Sequence, residues 1–402
     1  MASPKRNFND ATWFFFGLLI LDWCRPIIIW AYPCGNVDPF PWDRQFIWFD
    51  KNMEVNTPGR ICLFGEHQDY LGLPVIAMGI SLRAKIIGEK RKDREIIIHK
   101  PDIGETERFQ LEDLSYSKPR DYFKSGLRVC KREGLSFSNG FECEIRSEIP
   151  IKAGASSSSA IVVSWINFLS QMADQPLKWN NKKIGELAYL AEVLEFEEPG
   201  GMMDQYSTAM GNLVYVESEP GFFTQTLKAS LGNFVLGDSL DQKDTLHVLS
   251  NCRDMRLDIF NKLRPTNVGF DLHSCDLDLD LSALTEVEIS KLKCTIENRD
   301  LLRTARLELN KDDIDHELIG SMLNEHHSIL RDDLNVSTDK IEAMINAANN
   351  VGAFGCKING SGGGGCMFAY APEDPWSVAD AIESVGGKAF LINADEGTKI
   401  LS

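Results

Sequence analysis

Apolar and polar residues are arranged in segments that predict both strands and helices from Met53 onwards. Short apolar runs bounded by polar turns, and one strictly alternating segment, predict strands over 61–64, 75–80, 84–89, 95–99, 142–149, 212–217, 234–237, 356–359 and 366–370. Helices are predicted over 160–172, 184–196, 286–309, 314–329 and 340–351. The strands at 84–89 and 95–99 are expected to form a hairpin, with the charged residues 90–94 as its turn.

The order of these elements predicts an α+β fold, because strands and helices are mixed without a regular βαβ rhythm. A domain boundary is expected between the strands at 212–217 and 234–237. We therefore predict an N-terminal domain over residues 53–220 and a C-terminal domain over residues 221–402.

The first 52 residues differ in character from the rest of the chain. Basic Lys5 and Arg6 precede an apolar run over 13–21, as in a signal peptide, but the run is too short to span a bilayer. Met53 lies four residues before the first motif and directly ahead of a strand-like segment. We expect residues 1–52 to be a non-native extension, with translation starting at Met53. An export or membrane signal and a genuine ordered segment are the alternatives.

The chain has 402 residues, of which 43% are hydrophobic and 25% charged, and its net charge is −17. This balance is typical of a soluble globular protein of about two to three domains. The acidic charge disfavours non-specific binding to nucleic acid and to anionic membranes. Ten cysteines are scattered without a CxxC pair, which argues against a zinc site and favours free thiols in a reducing, cytoplasmic compartment.

The first segment with evident chemistry reads TPGRICLFGEHQDY, over residues 57–70. A strand carries Arg60 and delivers Glu66, His67 and Asp69 onto a loop. Carboxylates accept hydrogen bonds and arginine donates them, so the cluster suits the hydroxyl groups of a polyol. A solvated polar turn is the alternative for any one of these residues.

The second segment reads PIKAGASSSSA, over residues 150–160, and leads directly into a predicted helix. Gly154 and the small side chains after it let backbone N–H groups approach an anion, and the start of a helix adds partial positive charge. The serine hydroxyls are able to reach a phosphate or a bound Mg²⁺. The segment is neither a Walker A loop nor a Rossmann fingerprint, and a serine-capped helix is the plain alternative.

Two glycine segments complete the set. Residues 355–366 read GCKINGSGGGGC, where strand-like residues on both sides argue against a flexible linker. Residues 200–206 read GGMMDQY, which places Asp204 after a glycine turn and between apolar residues. A partly buried carboxylate there suits a base or a partner for Arg60, and a helix cap is the alternative.

Taken together, these segments resemble the GHMP kinase superfamily, whose three motifs occur here in order over residues 55–402. The galactokinases within it are most similar, through PGR and GEHxDYxxG at 58–72, MDQ at 203–205 and NEHHSILRDDLNVS at 324–337. The resemblance implies a two-domain α+β fold, with an N-terminal ribosomal-protein-S5-like domain and a C-terminal ferredoxin-like α/β domain. The active site would lie between the two domains.

The resemblance also implies roles for individual residues, carried over position by position. The implied catalytic pair is Arg60 and Asp204. The implied sugar contacts are Glu66, His67, Asp69 and Gly201. The implied ATP-binding residues are Gly154, Ala155, Ser156, Ser157, Ser158 and Ser159. The implied Mg²⁺ ligands are Ser158 and Glu192. The implied third motif, which supports the phosphate loop, is formed by Gly360, Gly362, Gly363 and Gly364.

The implied reaction transfers a phosphoryl group from ATP to the anomeric hydroxyl of galactose or a related sugar, giving a sugar 1-phosphate. The implied cofactors are ATP and Mg²⁺, and the implied partner is a small-molecule sugar, without nucleic acid or membrane. The resemblance further implies a cytoplasmic monomer or homodimer.

Several positions depart from the galactokinase pattern and leave the sugar open. Ala155 and Ser159 replace the usual Leu and Ala, and the third motif reads INGSGGGG rather than MTGGGFGG. Residues 237–245 replace a tyrosine and double-arginine segment that contacts the sugar. A kinase for heptose or another sugar is therefore an alternative, as is a sugar- and ATP-binding regulator without catalysis. A mevalonate-type kinase is disfavoured by GEHQDY, which suits a polyhydroxylated acceptor.

Overall fold

The computed structural model describes residues 53–151, 153–241 and 245–401. The expected extension over residues 1–52 lies outside the described residues. The strands are β1 (Met53–Phe64), β2 (Val75–Lys90), β3 (Glu95–Lys100), β4 (Glu105–Gln110), β5 (Phe141–Ser147), β6 (Leu213–Glu217), β7 (Phe223–Thr226), β8 (Phe234–Asp238), β9 (Gly355–Asn359), β10 (Cys366–Tyr370), β11 (Lys388–Ile392) and β12 (Lys399–Leu401). The α-helices are α1 (Tyr122–Arg132), α2 (Ser157–Met172), α3 (Asn181–Glu192), α4 (Met203–Met210), α5 (Thr245–Leu263), α6 (Glu286–Glu308), α7 (His316–Ser328), α8 (Asp339–Asn350) and α9 (Pro375–Ser384).

The first sheet contains eight strands, in the order β12-β1-β2-β5-β3-β4, with β6 paired to β2 and β7 to β6. The pairs are antiparallel except for β3 with β5. Strand β2 runs unbroken through both apolar runs that were predicted as separate strands, because its first half pairs with β6 and its second half with β5.

The predicted hairpin between 84–89 and 95–99 is wrong, since β5 lies between these segments. The residues after β2 do not form a tight hairpin turn, because their backbone makes hydrogen bonds with Gly140, the residue just before β5. The Arg91 N–H donates to the Gly140 carbonyl at 2.8 Å, and the Gly140 N–H donates to the Asp93 carbonyl at 2.7 Å. Proximity in sequence favoured a local pairing that these long-range bonds replace.

The second sheet contains four antiparallel strands in the order β11-β8-β10-β9. Its chain order is β8, helices, β9, β10, α9 and β11, which is the βαββαβ arrangement of a ferredoxin-like unit. The predicted α+β class and the ferredoxin-like C-terminal unit are thus confirmed. The chain leaves the first sheet after β7 and returns to it with β12, while the division at residue 220 stays a prediction.

Two of the buried apolar clusters bear on the position of β1. Helix α2 is apolar on nearly all sides and packs with Trp165 and Phe168 against Phe141 of β5. A second core joins Ile61 of β1 to Leu236 of β8, together with apolar residues of α6 and α7. Strand β1, which carries the first motif, therefore contributes residues to both clusters: Val55 to the first and Ile61 to the second.

No helix among the residues that the structure describes is both long and apolar enough to cross a membrane.

Candidate active site

The four segments that carry candidate functional residues, over 57–70, 150–160, 200–206 and 355–366, meet at one cleft of about 440 Å³. Its lining includes Arg60, Glu66, His67, Asp69, Gly154, Ser156, Ser157, Ser158, Ser159, Glu192, Gly201, Asp204 and Gly360. The segments that carry them come from β1, the start of α2, the end of α3, the start of α4 and the turn after β9. The polar cluster, the serine helix and the carboxylate at 204 thus share one opening.

The centre of the cleft is an ion pair between Arg60 and Asp204. Arg60 Nε donates to Asp204 Oδ1 at 2.8 Å, and Nη2 lies 2.7 Å from the same oxygen. Arg60 is buried, whereas the Asp204 side chain is 32% exposed. Burial acts to lower the pKa of Arg60, but the charges of Asp204 and Glu66 outweigh it, and the pKa is raised. The arginine therefore stays charged and fixes one oxygen of the carboxylate.

The backbone at Gly154 and Ala155, just before α2, is held by the first and third motifs. The Arg60 N–H donates to the Ala155 carbonyl at 3.1 Å. The Gly154 carbonyl accepts from Arg60 Nη1 at 2.5 Å and from Asn359 Nδ2 at 2.9 Å. A Cβ on Gly360 would lie 2.8 Å from that same carbonyl, so only glycine allows this approach.

The start of α2 has features that suit an anion. Ser156, just before the helix, has a φ of +59°, which turns the backbone sharply into the first helical residue, Ser157. The Ser156 hydroxyl is buried and has no hydrogen-bond partner among the described residues. Free N–H groups at the start of a helix attract negative charge, and an unsatisfied hydroxyl in the same cleft suits a phosphate oxygen.

Glu192 lies beside the serines at the end of α3. It accepts from Gln205 Nε2 at 2.7 Å and from the hydroxyls of Ser158 and Ser159. Burial, with the charge of Asp204 adding to it, raises the pKa of Glu192 to about 7 despite those hydrogen bonds. A buried carboxylate with this pKa is poised to take up either a proton or a cation.

Gly362 and Gly363 of the third motif pack against Val336. The Gly363 N–H donates to the Val336 carbonyl at 2.7 Å. A Cβ on Gly362 would lie 2.5 Å from the Val336 Cβ. Gly362, Gly363 and Gly364 all have positive φ values, which side chains rarely adopt.

The loop over residues 65–72, which we name the acceptor loop, places the carboxylates of Glu66 and Asp69 in the lining of the cleft. Asp69 lies in a short helical turn and accepts from the Met203 N–H at 3.4 Å. A Cβ on Gly201 would lie 2.2 Å from Asp69 Oδ2, so the carboxylate packs directly on the glycine backbone. Burial, with the charge of Asp204 adding to it, raises the pKa of Asp69 to about 6.

Glu66 and His67, both predicted as sugar contacts, have protein partners as well. Glu66 Oε2 accepts from Lys357 Nζ at 2.8 Å, and both side chains are almost fully buried. The His67 ring contacts Tyr70 Oη through Nδ1 at 2.9 Å and the Ser361 carbonyl through Nε2 at 3.1 Å. Any substrate contact by these residues would therefore share a preformed network.

Sequence reasoning missed residues that hold the predicted ones in place. Lys357 neutralises Glu66, Asn359 supports Gly154, and Gln205 supports Glu192. Asn359 also accepts from the Cys62 N–H at 2.9 Å, which ties β9 to β1. A lysine in the otherwise apolar segment before the glycines was the one available sign of a buried partner.

Three family models match the chain. They are GHMP kinases N terminal domain over residues 121–212, GHMP kinases C terminal over residues 305–388, and Galactokinase galactose-binding signature over residues 49–90. The last of these covers Arg60 and the whole acceptor loop.

Relatives with curated names include both mevalonate kinases and galactokinases. The mevalonate kinase of Thermococcus gammatolerans is 29% identical over 360 residues, covering 86% of this chain and 97% of the relative. The galactokinase of Clostridium acetobutylicum is 26% identical, covering 85% and 93%. The crystal structure of Lactococcus lactis galactokinase complexed with galactose superposes with a TM-score of 0.78 at 19% identity, covering 88% and 96%.

The two family domains lie in the expected order, and the fold agrees with that of a solved galactokinase. The motifs that define the cleft come from both matched regions and from the signature that precedes them. The chain belongs to the GHMP kinase family of phosphotransferases.

Proposed function

We propose that this protein is an ATP-dependent sugar kinase that phosphorylates the anomeric hydroxyl of galactose or a related sugar. The observation that carries the proposal is the Arg60–Asp204 pair, at 2.7–2.8 Å, in the same cleft as the serine helix start. Phosphoryl transfer depends mainly on positioning and on neutralising charge, and this arrangement offers groups for both.

The role of Asp204 follows from how Arg60 holds it. Both contacts from Arg60 go to Oδ1, which leaves Oδ2 to accept the proton of an acceptor hydroxyl. Arg60 keeps the carboxylate oriented and balances its charge. The start of α2, with Gly154 and Ser156–Ser159, would hold the phosphates so that the acceptor oxygen and the γ-phosphoryl group lie in line.

A divalent cation fits beside the serines. Among the described residues no group of three or more His, Cys, Asp or Glu is arranged to hold a metal, so a cation here would depend on few protein ligands. Glu192 and Ser158 supply one carboxylate and one hydroxyl, which suits Mg²⁺, an ion that keeps several waters and binds substrate phosphates. When bound, Mg²⁺ would neutralise phosphate charge and hold Glu192 ionised.

The acceptor end of the cleft favours a neutral polyol over a carboxylate. Asp69 and Glu66 present hydrogen-bond acceptors there. Among the described lining residues the arginines are Arg60 and Arg120, which pair with Asp204 and Glu198, and no lysine is present. A carboxylate such as that of mevalonate would therefore face acidic side chains without an unpaired cation among the described lining residues, whereas sugar hydroxyls can donate to these side chains.

Mevalonate is nevertheless the second candidate acceptor, because several relatives that cover 86% of the chain carry the name mevalonate kinase. The galactokinase signature over residues 49–90 and the acidic acceptor loop favour the sugar. A cytoplasmic location and a monomeric or dimeric state belong to the same proposal.

The test is an ADP-release assay with Mg²⁺-ATP and a panel of acceptors. The panel contains galactose, glucose, galactosamine, a heptose, mevalonate and a blank without acceptor. We expect acceptor-dependent ADP release with galactose or another sugar, and none with mevalonate. Product analysis should show phosphate on the anomeric oxygen. ADP release with mevalonate alone would overturn the sugar assignment. The absence of ADP release with every acceptor of the panel would point to a non-catalytic regulator.

A further inference from the structure

A buried chain of hydrogen bonds runs behind the acceptor loop and reaches helix α5. Arg256 on α5 is 1% exposed, and its guanidinium stacks over the Tyr70 ring at 5.3 Å from the centroid. Its Nε donates to the Cys252 carbonyl at 2.9 Å, and its Nη2 donates to Tyr70 Oη. Tyr70 Oη contacts His67 Nδ1, and His67 Nε2 contacts the Ser361 carbonyl.

The direction of every bond in this chain follows from what each group can donate. Arginine has donors only, so Tyr70 Oη accepts from Arg256. The single proton of Tyr70 is then free to go to His67 Nδ1. A bare Nδ1 leaves the imidazole hydrogen on Nε2, which is what the Ser361 carbonyl requires.

This chain of hydrogen bonds joins three segments that each contribute to the cleft: the acceptor loop, the glycine motif and α5. His67, Tyr70 and Ser361 line it, and Arg256 lies behind them. His67 has a φ of +63°, a conformation that persists in a non-glycine residue only where the surroundings enforce it. The two ring contacts supply that enforcement, and His67 stands directly after Glu66 and two residues before Asp69.

We propose that Arg256 and Tyr70 are positioning residues for the acceptor. They hold His67 as the neutral tautomer with its hydrogen on Nε2, and thereby set the conformation of the acceptor loop against Ser361 of the glycine motif. The link to the acceptor rests on the proposed kinase function, whereas the tautomer does not.

The tautomer is tested by NMR of the protein labelled with ¹⁵N-histidine, without substrate. The chain has seven histidines, and a His67→Gln variant identifies the signal of His67. We expect a protonated Nε2 and a bare Nδ1 in the wild type. Tyr70→Phe removes the donor to Nδ1 but keeps the ring, and should shift the signal towards a mixture of tautomers. A proton on Nδ1 in the wild type, or an unchanged signal in Tyr70→Phe, overturns the proposal.

The positioning role is tested by kinetics with whichever acceptor the panel identifies. Tyr70→Phe and Arg256→Met should raise the KM for the acceptor about tenfold, as expected for loss of a buried hydrogen-bond partner. The KM for ATP should stay unchanged. Arg264→Met removes an exposed arginine just beyond the end of α5 and serves as the matched control.

The two readouts separate the possible failures. Equal changes in both KM values, or loss of melting temperature without a KM change, would show a merely structural role. If the panel shows no kinase activity, the proposed function fails, but the NMR result still decides whether the hydrogen-bond chain is present. Because Tyr70→Phe is conservative, it keeps the test open if Arg256→Met does not fold.

Discussion

Gly201 lies against the carboxylate of Asp69 so closely that a Cβ at position 201 would be 2.2 Å from Oδ2. Gly201→Ala must therefore push Asp69 away from its place beside the start of α4. We expect a rise in the KM for the acceptor of at least about tenfold with little change in the KM for ATP. Steady-state kinetics with each substrate varied in turn measure this.

Gly200→Ala is the matched control, because a Cβ at position 200 would have no neighbour within 4 Å. Equal kinetics for the two variants would contradict the role of Asp69 at the acceptor end of the cleft.

Asp69 should also make the pH–rate profile fall on its acidic side. Its pKa is raised to about 6, so the carboxylate that accepts a hydrogen bond from an acceptor hydroxyl is present above pH 6 and lost below it. At saturating Mg²⁺-ATP, kcat/KM for the acceptor should fall about tenfold per pH unit below that value. Asp69→Asn should flatten this part of the profile while lowering activity throughout. An acidic fall that persists unchanged in Asp69→Asn would assign it to another group.

Asp204→Asn tests the centre of the site. The amide keeps the shape of the side chain but cannot take a proton, so kcat should fall by about 10²–10⁴ if Asp204 is the general base. The fold and the KM for ATP should be retained. Asp339→Asn, in the exposed first turn of α8, controls for removing a helix-start charge. Near-normal kcat in Asp204→Asn would leave the carboxylate with an orienting role only.

Lys357 and Glu66 offer a test of stability. Lys357→Met leaves the Glu66 charge buried without its partner, which typically costs about 3–5 kcal/mol in the free energy of unfolding. Urea unfolding should show this loss, and the double variant with Glu66→Gln should recover part of it. Lys388→Met, at an exposed position on β11, should change stability by less than about 0.5 kcal/mol.

Glu192 should make stability depend on pH when no cation or nucleotide is bound. Its pKa is raised from 4.5 to about 7, so the folded state holds a proton that the unfolded chain has released. This contribution is fully present below pH 4.5 and is lost as the pH rises through 7. The difference corresponds to roughly 3 kcal/mol at most, given its burial among hydroxyls.

Glu192→Gln should therefore raise the melting temperature at pH 8 but hardly at pH 5. Mg²⁺ with ATP should stabilise the wild type more than this variant. Glu186→Gln on the same helix, where the side chain is 47% exposed, is the control and should show neither effect. A Glu192→Gln protein that is less stable at pH 8 than the wild type would contradict the raised pKa.

The motifs could be recognised from sequence because each is short and contiguous, whereas their convergence in one cleft was expected only from the family resemblance. Arg60 is delivered by a strand and Ser157 begins a helix, as the local patterns indicated. Asp204 follows the glycine turn but lies in the first turn of α4, where a helix cap had been only the alternative interpretation. Each of those features depends on neighbours within a few residues, where propensity and capping act.

The partners behind the motifs could not be predicted in the same way. Glu66 and Lys357 are 291 positions apart, and Arg256 and Tyr70 are 186 apart. Such pairs depend on how β1, β9 and α5 pack, which no local pattern encodes. Helices α1, α4 and α9 were missed because they are short, and β12 because three residues carry no readable alternation. The longer helix α5 and the strands β4, β7 and β11 were also not predicted by any local pattern.

Strand β12 sits beside the strand that bears Arg60. Residues 399–401 pair with residues 54–56 of β1, and Thr398 accepts a hydrogen bond from the Thr57 hydroxyl at 2.8 Å. A ribosome would thus have to synthesise nearly all of the described chain before this flank of β1 could acquire its neighbour. Until then the nascent protein would expose an open strand edge next to Arg60, a state that chaperones are suited to shield.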